Sequence, residues 1–588
     1  MEKTIKKTMS LFEKQEKVKL LLLFFMMVVA ALFETLGIGI IVPFVGIITN
    51  PESIHDIQFL AYIYDNFGFE SLNSFIILIA MMFLSIFVLK NLYLLVFHYA
   101  QYKLIFNQEL KLSEKLFESY LKKPYTFHLQ RNSADLLRNI TIEVPKLFQK
   151  FIISAFQLVT ELLVAICILA LLFLVAPVAT ITACVLLGAS VFIFFKFFRT
   201  KILDLGKEQQ QLTGSMIKWV KQGLGAGKEI RVTGRESFFV NAYSTQGKII
   251  ASNNRNIKLL EYVPRPFIET VLIVIVLITM VIIVYQNMGT SEIVSTLALF
   301  CMAAFRLLPS INRILSMMTA IRYNYPALAA VYEDLKNEGK QVSKQNPSFS
   351  NVQGEKTFTD NITLKNICYR YPNEEDLTIN NVSFTIPIGD AVAFVGKSGA
   401  GKTTLVDIML GLLAPEKGEV LIDGTNIKDQ RSVIQQKIGY IPQSIFLCDD
   451  TIRNNVAFGI NKDQITDEEV WRALDQAMLK DYVESLPGQL NTIVGERGVK
   501  LSGGQRQRIG IARALYQNPE ILFMDEATSA LDNGTEKEIM KAIDLLKGQK
   551  TLIIIAHRLS TIENCDTVIE MSRGEIFSVN PKVKKSVI

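Results

Sequence analysis

Gly396-Lys397-Ser398-Gly399-Ala400-Gly401-Lys402-Thr403 fits the spacing G-x-x-x-x-G-K-[ST]. Glycines at this spacing let backbone N–H groups turn inward and cradle phosphate oxygens; Thr404 follows the cradle directly. Lys402 reaches the β/γ-phosphates, and the Thr403 hydroxyl takes a Mg²⁺ position. The flanks agree. Asp390–Val395 is a short apolar run of strand type, and Thr404–Leu413 has helical spacing, which sets the phosphates on a helix N-terminus. A chance glycine-rich turn is the competing reading of the motif alone, and the downstream sequence decides between the two.

At 588 residues the chain exceeds one hydrophobic core, so at least two domains are expected. Mean hydropathy is +0.28, with the apolar residues gathered before about residue 325 and ordinary soluble composition after it. That pattern predicts an all-α membrane domain over 1–326, a linker over 327–361 and an α/β P-loop domain over 362–588. The net charge of +6 is modest and flanks apolar segments, which fits anionic lipid and membrane topology rather than nucleic acid. Six scattered cysteines, without C-x-x-C or metal-ligand spacing, read as reduced thiols.

Six spans are expected, over 20–49, 72–102, 151–175, 178–198, 263–285 and 293–320, each long enough for a bilayer. Gly37, Gly39 and Pro43 predict a kink in the first. The loops Asn50–Ser71, Ala176-Pro177 and Gln286–Glu292 contain no Lys or Arg, whereas the N-terminus and the segments 103–150 and 199–262 are rich in both. The positive-inside rule then places both termini and the phosphate loop in the cytoplasm. Lys90, Arg265, Arg306 and Arg313 fall within or at the edges of spans. A charge at mid-bilayer costs at least about 2.5 kcal/mol, so such residues face protein or water. Lys90 and Arg265 also fit snorkelling near a helix end. Arg306 and Arg313 read as lining a polar cavity that accepts an anionic group.

In the second half the motifs come in a fixed order. Tyr371 offers a flat face for adenine, and Gln443 offers an amide to Mg²⁺ or water. Leu501–Gln505 (LSGGQ) is a glycine-rich turn that presents Ser502 and the backbone of Gly503, Gly504 and Gln505 to phosphate. Ile521–Asp525 is an apolar strand that delivers Asp525 to Mg²⁺ and sets Glu526 beside the γ-phosphate to polarise water. His557 follows a second apolar strand.

Tyr371, GKSGAGKT, Gln443, LSGGQ, ILFMDE, Ser529–Asp532 (SALD) and His557 together resemble the nucleotide-binding domain of ABC transporters. LSGGQ is the most specific of these, because other P-loop ATPases lack it. Six spans ahead of one such domain resemble an ABC exporter half-transporter. The resemblance implies ATP and Mg²⁺ as cofactors and Glu526 as catalytic base, with His557 and Lys402 on the γ-phosphate. It also implies a dimer, most simply of two identical chains although a heterodimer is compatible, with ATP between the phosphate loop of one copy and LSGGQ of the other. Segments near Pro124–Leu129 and Ser215–Leu224 would be coupling helices, and Ala134 stands where the family usually has Gly.

FETLGIGIIVPF (Phe33–Phe44), YVPRPF (Tyr262–Phe267) and FRLLPSINRI (Phe305–Ile314) resemble the PglK-type flippases of lipid-linked oligosaccharides. That implies a cationic path through Lys90, Arg265, Arg306 and Arg313 in the inner membrane of a bacterium. Export of a peptide or other small molecule is the competing transport reading. A non-transporting regulatory ABC protein is the alternative of another class, which intact Lys402, Glu526 and LSGGQ oppose.

Overall fold

The computed structural model describes residues 2–39, 72–175, 177–285, 308–341, 357–429, 431–525, 533–556 and 562–581. It divides into two compact units: Met1–Lys123 with Arg131–Lys344, and Pro124–Gln130 with Gln345–Ile588.

The first unit is helical. In chain order its elements are α1 (Glu2–Ser10), α2 (Lys14–Gly39) and α3 (Leu72–Lys122). The short helix α4 (Tyr125–Gln130) is grouped with the second unit. Then come α5 (Ser133–Arg138), α6 (Ile153–Val175), α7 (Pro177–Gly225), α8 (Gly227–Thr233), α9 (Glu236–Tyr262) and α10 (Pro264–Tyr285). A helix over 308–323, α11, and α12 (Tyr325–Gln341) complete it. Leu-, Ile- and Phe-rich runs without interior proline propagate long helices, and α3 alone has 51 residues, about 76 Å of helix. Three helices among the described residues are long and apolar enough to cross a membrane, over Lys14–Gly37, Ser74–Lys122 and Ser133–Leu174. Pro177 opens α7, where its missing N–H costs nothing. The loop 50–71 and the start of the sixth expected span lie outside the described residues, as does Pro43.

The membrane helices pack through Val164, Ile168 and Leu172 of α6, Ile268, Leu272 and Ile275 of α10, and Ile311 and Leu315 of α11. Where the chain leaves the apolar zone, polar side chains take over. Tyr120 of α3 donates to Asp334 Oδ2 of α12 at 2.5 Å, and Asn139 Nδ2 donates to the same oxygen at 2.8 Å. Burial, reinforced by Asp334, pushes the Tyr120 hydroxyl above its ordinary range. Asn139 opens the first of two π-helical turns, Asn139–Glu143 and Leu147–Ile152, which lead into α6. The expected coupling helix at 215–224 is not a separate element. Those residues are the end of α7, and the short helix comes after them as α8, because Gly225, Ala226 and Gly227 break the chain there.

The second unit is α/β. A six-stranded sheet has the order β10-β9-β3-β8-β7-β6, with β3 (Ala391–Val395), β6 (Ile438–Ile441), β7 (Ile521–Asp525), β8 (Thr551–Ile555) and β9 (Thr567–Ser572) parallel and β10 (Glu575–Pro581) antiparallel at the edge. An antiparallel sheet, β2-β1-β4-β5, is built from β1 (Asn361–Tyr369), β2 (Ile379–Pro387), β4 (Lys417–Ile422) and β5 (Thr425–Asn426). The central strands are buried on both faces, and their two-residue period sorts side chains between two cores. Val392, Phe394, Ile521, Phe523, Ile553 and Ile555 join the antiparallel sheet and α13 (Lys402–Met409). Ala393, Leu522, Met524, Leu552 and Ile554 join α14 (Ile452–Val456), α15 (Asp467–Gln476) and α16 (Gly503–Leu515).

Candidate functional site

The phosphate loop leaves β3 and turns into α13. Gly396, Gly399 and Gly401 have φ of 146°, 80° and 97°, which an L side chain resists. A Cβ on Gly401 would lie 2.8 Å from Ile379 Cδ1 and 3.1 Å from the Thr378 carbonyl. Backbone hydrogens can point inward only because these positions are glycine. Lys402 is buried, and its ammonium donates to the Gly396 and Lys397 carbonyls at 2.8 and 3.1 Å, so the loop closes around the charge.

Strand register brings the remaining candidates to the same edge. Phe394 and Asp525 both pair with Ile555 of β8, and Ile441 pairs with Met524. The carboxyl ends of β3, β7 and β6, carrying Gly396, Asp525 and, two residues past β6, Gln443, therefore share one edge of the sheet, the rim where ligands bind in open parallel sheets. Tyr371 reaches the loop through its hydroxyl, 3.1 Å from Thr404 Oγ1, while its ring meets Tyr369 edge-on at 5.2 Å. Ser502 caps α16: its hydroxyl accepts from Gln505 N–H at 3.2 Å, and Gln505 Oε1 accepts from Ser502 N–H at 2.8 Å. This reciprocal box orders the turn and leaves Ser502 and Gly503 exposed at the helix N-terminus. Glu526, His557 and Arg306 lie outside the described residues.

Two features of this rim escape sequence reading. Asp407 is buried on α13, and burial together with the charge of Asp525 raises its carboxyl to about 6. A carboxylate five residues past Lys402 is the only trace of it in the sequence. Asn455, fully buried, accepts from Cys448 N–H at 2.9 Å and donates to the Cys448 and Thr451 carbonyls, both at 3.0 Å. Arg513 of α16 donates to the Asn455 and Phe446 carbonyls, both at 2.8 Å, and covers the Phe458 ring at 4.5 Å. The segment after Gln443 is thereby fastened to the helix that Ser502 caps.

In the membrane unit, Lys90, Arg265 and Arg313 each have a carboxylate partner. Lys90 pairs with Glu34 at 3.2 Å, Arg265 with Glu269 at 3.0 Å and Arg313 with Glu161 at 2.6 Å. At these three residues of the expected cationic path, each cation is matched by a carboxylate. Their acidic halves were missed because two of the three lie far away in sequence.

Residues 379–529 match the family description "ABC transporter". The chain is 30% identical over 552 residues to an ATP-dependent lipid A-core flippase of Haemophilus influenzae, covering 92% of this chain and 91% of that one. A protein of the same description from Cupriavidus metallidurans is 29% identical over 469 residues, covering 79% and 78%. The fold is similar to that of a bacterial Atm1-family ABC exporter solved with ATP bound, with a TM-score of 0.74 at 23% identity and 96% and 95% of the two chains covered.

Proposed function

The chain belongs to the ABC transporter family as a membrane-embedded half-transporter that couples ATP hydrolysis to transport, and from that premise we propose that two identical copies flip an anionic, lipid-linked substrate, an oligosaccharide-bearing one in the first instance, out of the cytoplasmic leaflet. The observation that carries the dimer is the placement of the two phosphate-facing turns. Lys402's helix α13 packs in the core on one face of the six-stranded sheet, and Ser502's helix α16 packs in the core on the other. A nucleotide on the phosphate loop is then completed by the capped turn of a second copy.

In each site the loop backbone and Lys402 hold the β- and γ-phosphates, while Tyr371 flanks the loop to receive adenine. Thr403, Gln443 and Asp525 offer a hydroxyl, an amide and a carboxylate. Among the described residues no three His, Cys, Asp or Glu side chains could hold a metal ion by themselves. This donor set suits a hard cation whose remaining ligands are water and phosphate. Mg²⁺ bound there would neutralise charge on the transferring phosphoryl group. Glu526, next to Asp525 in sequence, is the base that orients the attacking water, and His557 the γ-phosphate contact. ATP binding favours the closed pair, and hydrolysis releases it. The grouping of α4 with the nucleotide-binding unit supports its role as the relay from the ATP site.

The cargo reading draws on the flippase relatives and on charged pairs retained inside membrane helices, where they are costly without a polar task. ATPase stimulation in proteoliposomes tests it. Lipid-pyrophosphate oligosaccharides are expected to stimulate; stimulation by peptides alone contradicts the reading. Basic loops on one face of the bilayer support cytoplasmic termini.

A further inference from the structure

Arg313 on α11 donates Nε to Glu161 Oε1 of α6 at 2.6 Å. The pairing is one-pronged. Glu161 Oε2 is buried and takes no hydrogen bond among the described residues, and the Arg313 side chain stays 42% exposed against 13% for Glu161. Nε is the only guanidinium nitrogen with a hydrogen bond among the described residues, which leaves the terminal pair as a fork of the geometry that phosphate accepts. Ser310, one turn earlier, is fully buried with its hydroxyl unpartnered among the described residues, and Asn312 Oδ1 is likewise buried and unpartnered. A pair that served only to neutralise an arginine in lipid would use both prongs and leave fewer polar atoms waiting.

We propose that Glu161 is a specificity-determining residue: its carboxylate stands in for the anionic group of the cargo and sets the charge a headgroup must bring to displace it. The inference rests on the reading of the cargo as an anionic amphiphile. A monoanion exchanges one charge for another at Arg313 and gains little. A phosphate monoester or pyrophosphate brings a second charge and two oxygens for the fork, and prevails. Neutral and zwitterionic lipids, which surround the protein in excess, are refused because they leave Glu161 in place. This is discrimination by a built-in competitor.

The test uses the full-length protein in phosphatidylcholine nanodiscs doped with phosphatidylglycerol or with phosphatidic acid at pH 8, reading ATPase rate against lipid fraction. The wild type is expected to reach half-stimulation at a phosphatidic acid fraction about tenfold below that of phosphatidylglycerol, the ratio one favourable charged contact supplies. Glu161→Gln is expected to shrink that ratio toward one by lowering the phosphatidylglycerol value, a change in half-saturation rather than in maximal rate. Glu161→Asp, which keeps the charge, is expected to keep the ratio, and Arg313→Lys, which keeps a cation but loses the fork, is expected to lower it; these two serve where Glu161→Gln fails to fold. A wild-type ratio in both Glu161→Gln and Arg313→Lys overturns this inference alone. A wild type stimulated by neither lipid overturns the anionic-cargo reading, and this inference with it.

Discussion

Asp407 lies near Asp525 at a buried rim, and its carboxyl is raised from 3.8 to about 6, by burial first and by Asp525 second. A raised acid binds more protons folded than unfolded, so its contribution to stability is full below pH 3.8 and is lost as pH rises through about 6. In nucleotide-free protein, Asp407→Asn is therefore expected to raise Tm relative to wild type more at pH 8 than at pH 5; an equal shift at both pH values contradicts the assignment. Gly401 works through backbone rather than charge. Gly401→Ala forces a Cβ into φ 97° against Ile379, at a cost of about 1 to 3 kcal/mol. Weaker binding of ATP, measured by fluorescent-nucleotide titration, is the expected result. Glu526→Gln is expected to abolish turnover while nucleotide stays trapped in the closed pair, and normal hydrolysis by that variant removes Glu526 as the base.

Elements meet at this site through braces that cross long stretches of chain. Arg513 ties α16 to the segment after Gln443 through two carbonyls and the Phe458 ring. Arg513→Met leaves the carbonyl of buried Asn455 without its donor and is expected to destabilise the nucleotide-binding unit by about 1 to 3 kcal/mol, read by denaturant unfolding. A loss under about 0.5 kcal/mol makes the brace ornamental. The glycine spacing at 396–401, the LSGGQ turn and the apolar run before Asp525 were legible in sequence because each is local: a turn, a cap, a strand. The Arg513–Asn455 brace, the Asp407–Asp525 neighbours and the Glu34 and Glu161 counter-charges were not, since their partners are 58, 118, 56 and 152 residues apart and only the fold brings them together. The segment 215–224, expected to form a short helix of its own, continues α7 for a related reason. Helical periodicity runs unbroken through 215–224, and the break depends on Gly225 and Gly227 just beyond.

At the scale of the whole molecule, one chain carries every motif of an ATP site but mounts the phosphate loop and the capped LSGGQ turn on helices that cover opposite faces of one sheet. In the proposed head-to-tail pair, each copy would lend its turn to the other's nucleotide. Co-reconstitution of two inactive variants, Lys402→Ala and Ser502→Arg, tests the shared site most directly through the ATPase rate of the mixture. In a mixed pair both lesions fall in one site and the other is intact, so the mixture is expected to regain hydrolysis that neither variant shows alone. If every mixing ratio stays inactive while mixed pairs are shown to form, each chain builds its site by itself and the account is wrong at its centre.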